Sequence, residues 1–178
     1  KRFRDSYEII KKVKMKAISD STPLIHLAKI GKINLLKELF EEIIIEDEIY
    51  KETIEKGTEH SEIPIIRSLI ENGFILVKEA TKQIEMPNLH EGEKKSISLC
   101  KELNIKNILI DEEEGFHIAT MLNLMPIRTT TLFIILLDRK IINFNEYKES
   151  LQKLSESGYF LDALTYEKLL NIGRNIAK

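Results

Sequence analysis

Apolar and polar positions along this chain change period repeatedly, from the two-residue repeat of strands to the three-to-four-residue repeat of helices. Lys14 to Ser19 alternates around Val13, Met15 and Ala17 and predicts a short buried strand ending at Asp20. A helix follows, with Thr22 as N-cap, Pro23 as first helical residue, Leu24, Leu27 and Ala28 on one face, and Gly31 closing it. Ile33 to Phe40 reads as a second amphipathic helix. Ile43, Ile44 and Ile45 are β-branched and bounded by charge, which predicts an interior parallel strand with a helix starting near Glu46.

Further along, Ser61 to Asn72 predicts a helix ended by Gly73, Phe74 to Val77 a strand, and Thr81 to His90 a loop interrupted by Pro87 and Asn88. Helix resumes from about Glu91 to Leu103. Asn107 to Ile110 then predicts a strand ending at Asp111, Glu113 to Leu122 a helix, and Met125 to Arg128 a strand. Thr129 to Arg139, Asn143 to Ser157 and Thr165 to Asn175 complete the chain as helices. Strands alternating with helices predict an α/β fold, a parallel sheet covered on both faces.

In such sheets ligands bind beyond the carboxyl ends of the strands, where acids from distant positions converge. Asp20 and Asp111 directly follow predicted strands, Glu52 lies in the helix after the Ile43 strand, and Glu93 opens the helix before the Asn107 strand. Packed carboxylates raise one another's pKa values unless a cation compensates them. Oxygen donors of this kind suit Mg²⁺ or Mn²⁺, which activate water and stabilise charge on a phosphodiester.

The segments Ser19-Asp20-Ser21-Thr22-Pro23-Leu24-Ile25, Ile49-Tyr50-Lys51-Glu52, Glu91-Gly92-Glu93 and Ile108-Leu109-Ile110-Asp111-Glu112, in that order, resemble the PIN domain family. The likeness is greatest to its archaeal and bacterial PIN-like branch, related to the VapC-type toxin nucleases, and covers about residues 15 to 160. It implies a three-layer α/β/α fold with a central parallel sheet of about five strands and a Mg²⁺- or Mn²⁺-dependent endoribonuclease. Asp20, Glu52, Glu93 and Asp111 match the family's four acids, Glu112 stands where the branch often has a second Asp, and Thr129 matches a hydroxyl residue placed to orient a water. The resemblance also implies RNA as substrate, a homodimer, and a toxin role with a small antitoxin as partner. Two departures stand out. Glu113, Glu114, Gly115 and Phe116 replace basic residues usual in the branch, and Arg128 replaces a glycine. They motivate an alternative, a catalytically weakened module that binds RNA or protein.

Composition narrows the remaining classes. With 178 residues, 43% hydrophobic and 31% charged, the chain has material for one folded core. We expect residues 15–178 to form one nuclease domain and residues 1–14 a basic extension. Residues 1–16 carry seven basic and two acidic side chains, leaving 20 basic and 27 acidic elsewhere, so any RNA contact is local. The longest purely apolar run, Leu132 to Leu137, falls far short of the about 20 residues that span a bilayer. No export signal follows Lys1, Arg2 and Arg4, and the lone Cys100 fits a reducing cytoplasm, so a cytoplasmic protein is expected. His26, His60, His90 and His117 lack zinc spacing, and the seven glycines form no nucleotide-binding loop.

Overall fold

A computed structural model of the chain describes residues 14–57, 60–86 and 89–178. The basic segment up to residue 13 and the loop pair Pro87 and Asn88 lie outside the described residues. Five parallel strands form one sheet: β1 (Met15–Ser19), β2 (Phe40–Glu46), β3 (Ile75–Lys78), β4 (Asn107–Leu109) and β5 (Met125–Ile127), in the order β3-β2-β1-β4-β5. This is the sheet expected from the alternation of elements. The order reverses at β1, where the chain first builds outward to β2 and β3 and later returns to β4 on the other side. The crevice between β1 and β4 is therefore the topological switch point at which open α/β sheets bind ligands.

Helices cover both faces. On one face lie α1 (Ser21–Lys29), the short turn α2 (Leu36–Leu39), α4 (Ile63–Glu71), α7 (Thr129–Asp138), α8 (Phe144–Glu156) and α9 (Ala163–Ile176). The other carries α5 (Glu91–Glu102) and α6 (Glu113–Met121), with Ile97, Leu99, Cys100 and Ala119 buried against it. The one-turn helix α3 (Asp47–Ile49) leads from β2 into a π-helical stretch, Tyr50–Glu55. Strand residues alternate between the faces: Ala17 and Leu109 belong to the first core, Ile18, Ile108 and Ile110 to the second. That two-residue alternation decides which acids meet at the strand ends. No described helix is long and apolar enough to cross a membrane.

Three local expectations are corrected. Ile33 to Phe40 is a 3₁₀ turn (Ile33–Leu35) followed by the four residues of α2, with Phe40 already in β2. The strand's early start is hidden by charge, since Lys16 of β1 and its register partner Glu42 form a salt bridge of 3.1 Å across the sheet. The helix after β1 starts at Ser21, with extended Asp20 in the cap position and Thr22 inside the first turn. Pro23 is tolerated there because the first-turn N–H groups have no intrahelical acceptor in any case. Gly31 and Gly73, at φ 69° and 79°, follow α1 and α4 as the left-handed residues that such helix ends favour.

Candidate active site

The carboxyl end of β1 meets that of β4 through the Asp20 N–H, which donates to the Leu109 carbonyl at 2.9 Å. Asp20 is 5% exposed and Glu93, in the first turn of α5, is 4% exposed. Glu93 Oε2 accepts from the His90 backbone N–H at 3.1 Å and so caps its own helix, whereas its buried Oε1 has no hydrogen-bond partner. Burial pushes the Asp20 carboxyl up to about 6, helped by the negative charges of Glu93 and Glu112. The backbone N–H groups of Ser21 and Thr22 pull the other way. Glu93 is raised as well, first by burial and then by Glu112 and Glu114, against the opposing effect of His90.

Two glycines shape this corner. A Cβ on Gly115 of α6 would stand 2.5 Å from Glu93 Oε1 and 2.4 Å from Ile110 Cδ1, and one on Gly92 would stand 3.8 Å from Asp20 Oδ1. Gly115 thus leaves the space in which the unpartnered carboxylate oxygen lies.

Asp111 does something different. Its Oδ1 accepts from the Thr129 N–H and the Tyr159 hydroxyl, both at 2.8 Å, and its Oδ2 accepts from Thr129 Oγ1 at 2.7 Å. Ile110 packs on the α5 side, whereas Asp111 turns to the α7 side; Glu112, the N-cap of α6, acts on Asp20 and Glu93 and also on His26. Buried Thr129 and half-buried Tyr159 hold Asp111 on the α7 side. The Tyr159 ring meets His26 edge to face at 5.2 Å, and His26 Nδ1 lies 3.3 Å from Ser157 Oγ. Burial raises the Tyr159 hydroxyl well above its usual range, with the Asp111 charge and hydrogen bond adding to it. Burial also lowers His26, opposed by Asp111.

A family model described as a PIN domain matches residues 16–174. The chain belongs to the PIN domain family. PIN domains are generally nucleases, usually bind divalent metals and act on RNA. No curated protein and no solved structure matches the chain.

The sequence-derived site residues of this PIN domain fall into three places. Asp20 and Glu93 are buried together, with exposed Glu112 close enough to act on both. Asp111 and Thr129 form a second, hydrogen-bonded group next door. Glu52 is exposed on the π-helical stretch, and the structure does not draw it into either group. Among the described residues no three His, Cys, Asp or Glu side chains converge into a ready cation cage. The Asp20–Glu93 pair nonetheless fits a hard divalent cation. Two buried carboxylates with raised pKa values and one oxygen lacking a partner are what such a cation compensates, and Mg²⁺ is commonly held by one or two carboxylates plus water and substrate oxygens.

Tyr159 and His26 escaped the sequence reading as partners of the site. No local signal marks Tyr159, which stands in the α8–α9 link and reaches Asp111 only through the tertiary fold.

Proposed function

We propose that this PIN domain is a metal-dependent endoribonuclease whose cation is held by Asp20 and Glu93, with Glu112 at the exposed rim. The unpartnered Glu93 Oε1 beside buried Asp20 at the sheet's switch point is the observation that carries this reading. When bound, Mg²⁺ or Mn²⁺ supplies a Lewis acid for the phosphodiester and lowers the pKa of water. The chain's own residues do the positioning. Burial favours the protonated forms of Asp20 and Glu93, and the two carboxylates, compensated by a divalent cation held between them, would release those protons to solvent. Thr129 and Tyr159 fix the Asp111 carboxylate in one orientation beside the acids. In this reading Thr129 Oγ1, which donates to Asp111 Oδ2, would use a lone pair to orient a nucleophilic water. Glu52, exposed on the neighbouring stretch, joins the acids only through a rearrangement of the Tyr50–Glu55 segment.

Calorimetry with Mn²⁺ and cleavage of labelled RNA test the assignment. The parent protein should bind Mn²⁺ and cut RNA, and Asp20→Asn and Glu93→Gln should each abolish both. Absence of metal binding and of cleavage in the parent would overturn it. The finer expectations have their own readouts. Growth arrest on expression, relieved by a co-expressed small protein, supports a toxin with an antitoxin, and light scattering at twice the chain mass supports a homodimer. The second reading, a weakened RNA- or protein-binding module, draws on the acidic run Glu112 to Glu114. It predicts RNA association that is indifferent to chelator and unaccompanied by cleavage.

A further inference from the structure

Arg128 stands between β5 and α7, adjacent to Thr129. Its Nη1 donates to the main-chain oxygen of Asp111 at 2.6 Å and its Nη2 to Glu113 Oε2 at 2.5 Å. The guanidinium carbon lies 4.5 Å from the centroid of the Phe116 ring. These contacts seat a cation at the corner from which Glu112 acts on Asp20 and Glu93. The Phe116 ring thus carries the Arg128 cation next to the Asp111 main chain.

The three contacts are not equal. The Asp111 carbonyl and the Phe116 face belong to the fold, whereas the Glu113 side chain is 70% exposed and Arg128 itself 27% exposed. Glu113 also shares its other oxygen with His117 Nε2 at 2.8 Å, and that histidine is 64% exposed. An ion pair so open to water is weakly held, while a planar guanidinium fork accepts phosphate as readily as carboxylate.

We propose that Arg128 seats an RNA phosphate beside the acids, and that the Glu113 carboxylate occupies its Nη2 until the phosphate displaces it. This deepens the nuclease reading and rests on it for the identity of the ligand. The Asp111 carbonyl and the Phe116 ring hold the guanidinium plane still during the exchange, so one anion leaves as another arrives. Arg128 is then a specificity residue for a phosphodiester, and Glu113 competes with substrate.

The test uses a fluorescein-labelled, mixed-sequence single-stranded RNA, with binding read by anisotropy in EDTA and cleavage read in Mn²⁺ at several salt concentrations. Arg128→Gln should weaken binding and raise KM by about tenfold with kcat nearly unchanged, and should flatten the slope of log affinity against log salt by about 0.7. Arg128→Lys should recover part of the affinity and all of the slope. Glu113→Gln should tighten binding about threefold, and urea denaturation should show that it remains folded. Affinity and salt slope unchanged in Arg128→Gln would overturn the proposal. So would a Glu113→Gln variant that weakens binding as much as Arg128→Gln does, since the pair would then be a structural clamp. A parent protein that neither binds nor cuts the probe overturns it too. If the parent binds the probe through Arg128 but neither cuts it nor takes up Mn²⁺, the phosphate seat stands and the nuclease reading falls.

Discussion

Replacing Asp20 by asparagine should stabilise the metal-free protein at neutral pH. Burial carries this carboxyl from its ordinary 3.8 up to about 6, and each pH unit of such displacement is worth about 1.4 kcal/mol, so ionised Asp20 costs the folded state up to about 3 kcal/mol. The sign follows from which state holds the proton. Below about 3.8 both the folded and unfolded chains are protonated and the cost is absent. Between about 3.8 and 6 the unfolded chain ionises first, so stability falls as pH rises, and above 6 the full cost persists. Urea denaturation in EDTA should therefore show parent and Asp20→Asn nearly equal at pH 4, with the variant ahead by up to about 3 kcal/mol at pH 7, or about 6–12 °C in Tm for a chain of this size. Saturating Mn²⁺ should reverse the order, because a cation at about 1,000 times its Kd adds about 4.1 kcal/mol to the parent alone. A difference that stays flat from pH 4 to 7, or a variant clearly less stable than the parent at pH 7 in EDTA, would refute the reasoning.

Other perturbations probe the surrounding packing. Gly115→Ala places a Cβ against Ile110 and the Glu93 carboxylate, which should cost about 1–3 kcal/mol in urea denaturation and weaken Mn²⁺ binding by calorimetry. Tyr159→Phe removes one of three donors to the Asp111 carboxylate and should cost about 1–2 kcal/mol, with a smaller loss of cleavage than Asp111→Asn produces. Cys100 is 1% exposed and burial pushes its thiol far up, so it should resist a thiol reagent in the native protein and react fully in denaturant. Prompt native labelling would contradict the packing of α5.

Period and punctuation made most of this fold legible, since β-branched runs such as Ile43 to Ile45 and helix-closing glycines such as Gly31 and Gly73 are local signals. Asp20 and Asp111 were visible for the same reason, each following a short apolar strand. What local pattern conveyed poorly is orientation. Asp111 and Glu112 are neighbours in sequence just beyond β4, but Thr129 and Tyr159 hold Asp111 while Glu112 acts on Asp20 and Glu93, and only the packed fold says which of the two joins Asp20. Glu52 shows the same limit in a helix, because the π-helical winding of Tyr50–Glu55 changes the angle between successive side chains that a regular helix would impose. The start of β2 was obscured because Glu41 and Glu42 look like helix surface, although Glu42 is paired with Lys16 across the sheet.

The bond from Tyr159 to Asp111 joins positions 48 residues apart and comes from the link between α8 and α9. That link is itself tethered, as the Tyr159 N–H donates to the Leu154 carbonyl at the end of α8. Lifting the terminal helices from α7 and withdrawing a donor from Asp111 are therefore one movement. A molecule that leans on α9, even without reaching the acids, has a mechanical route to them, and faster amide exchange at Tyr159 would report that the lever has been pulled.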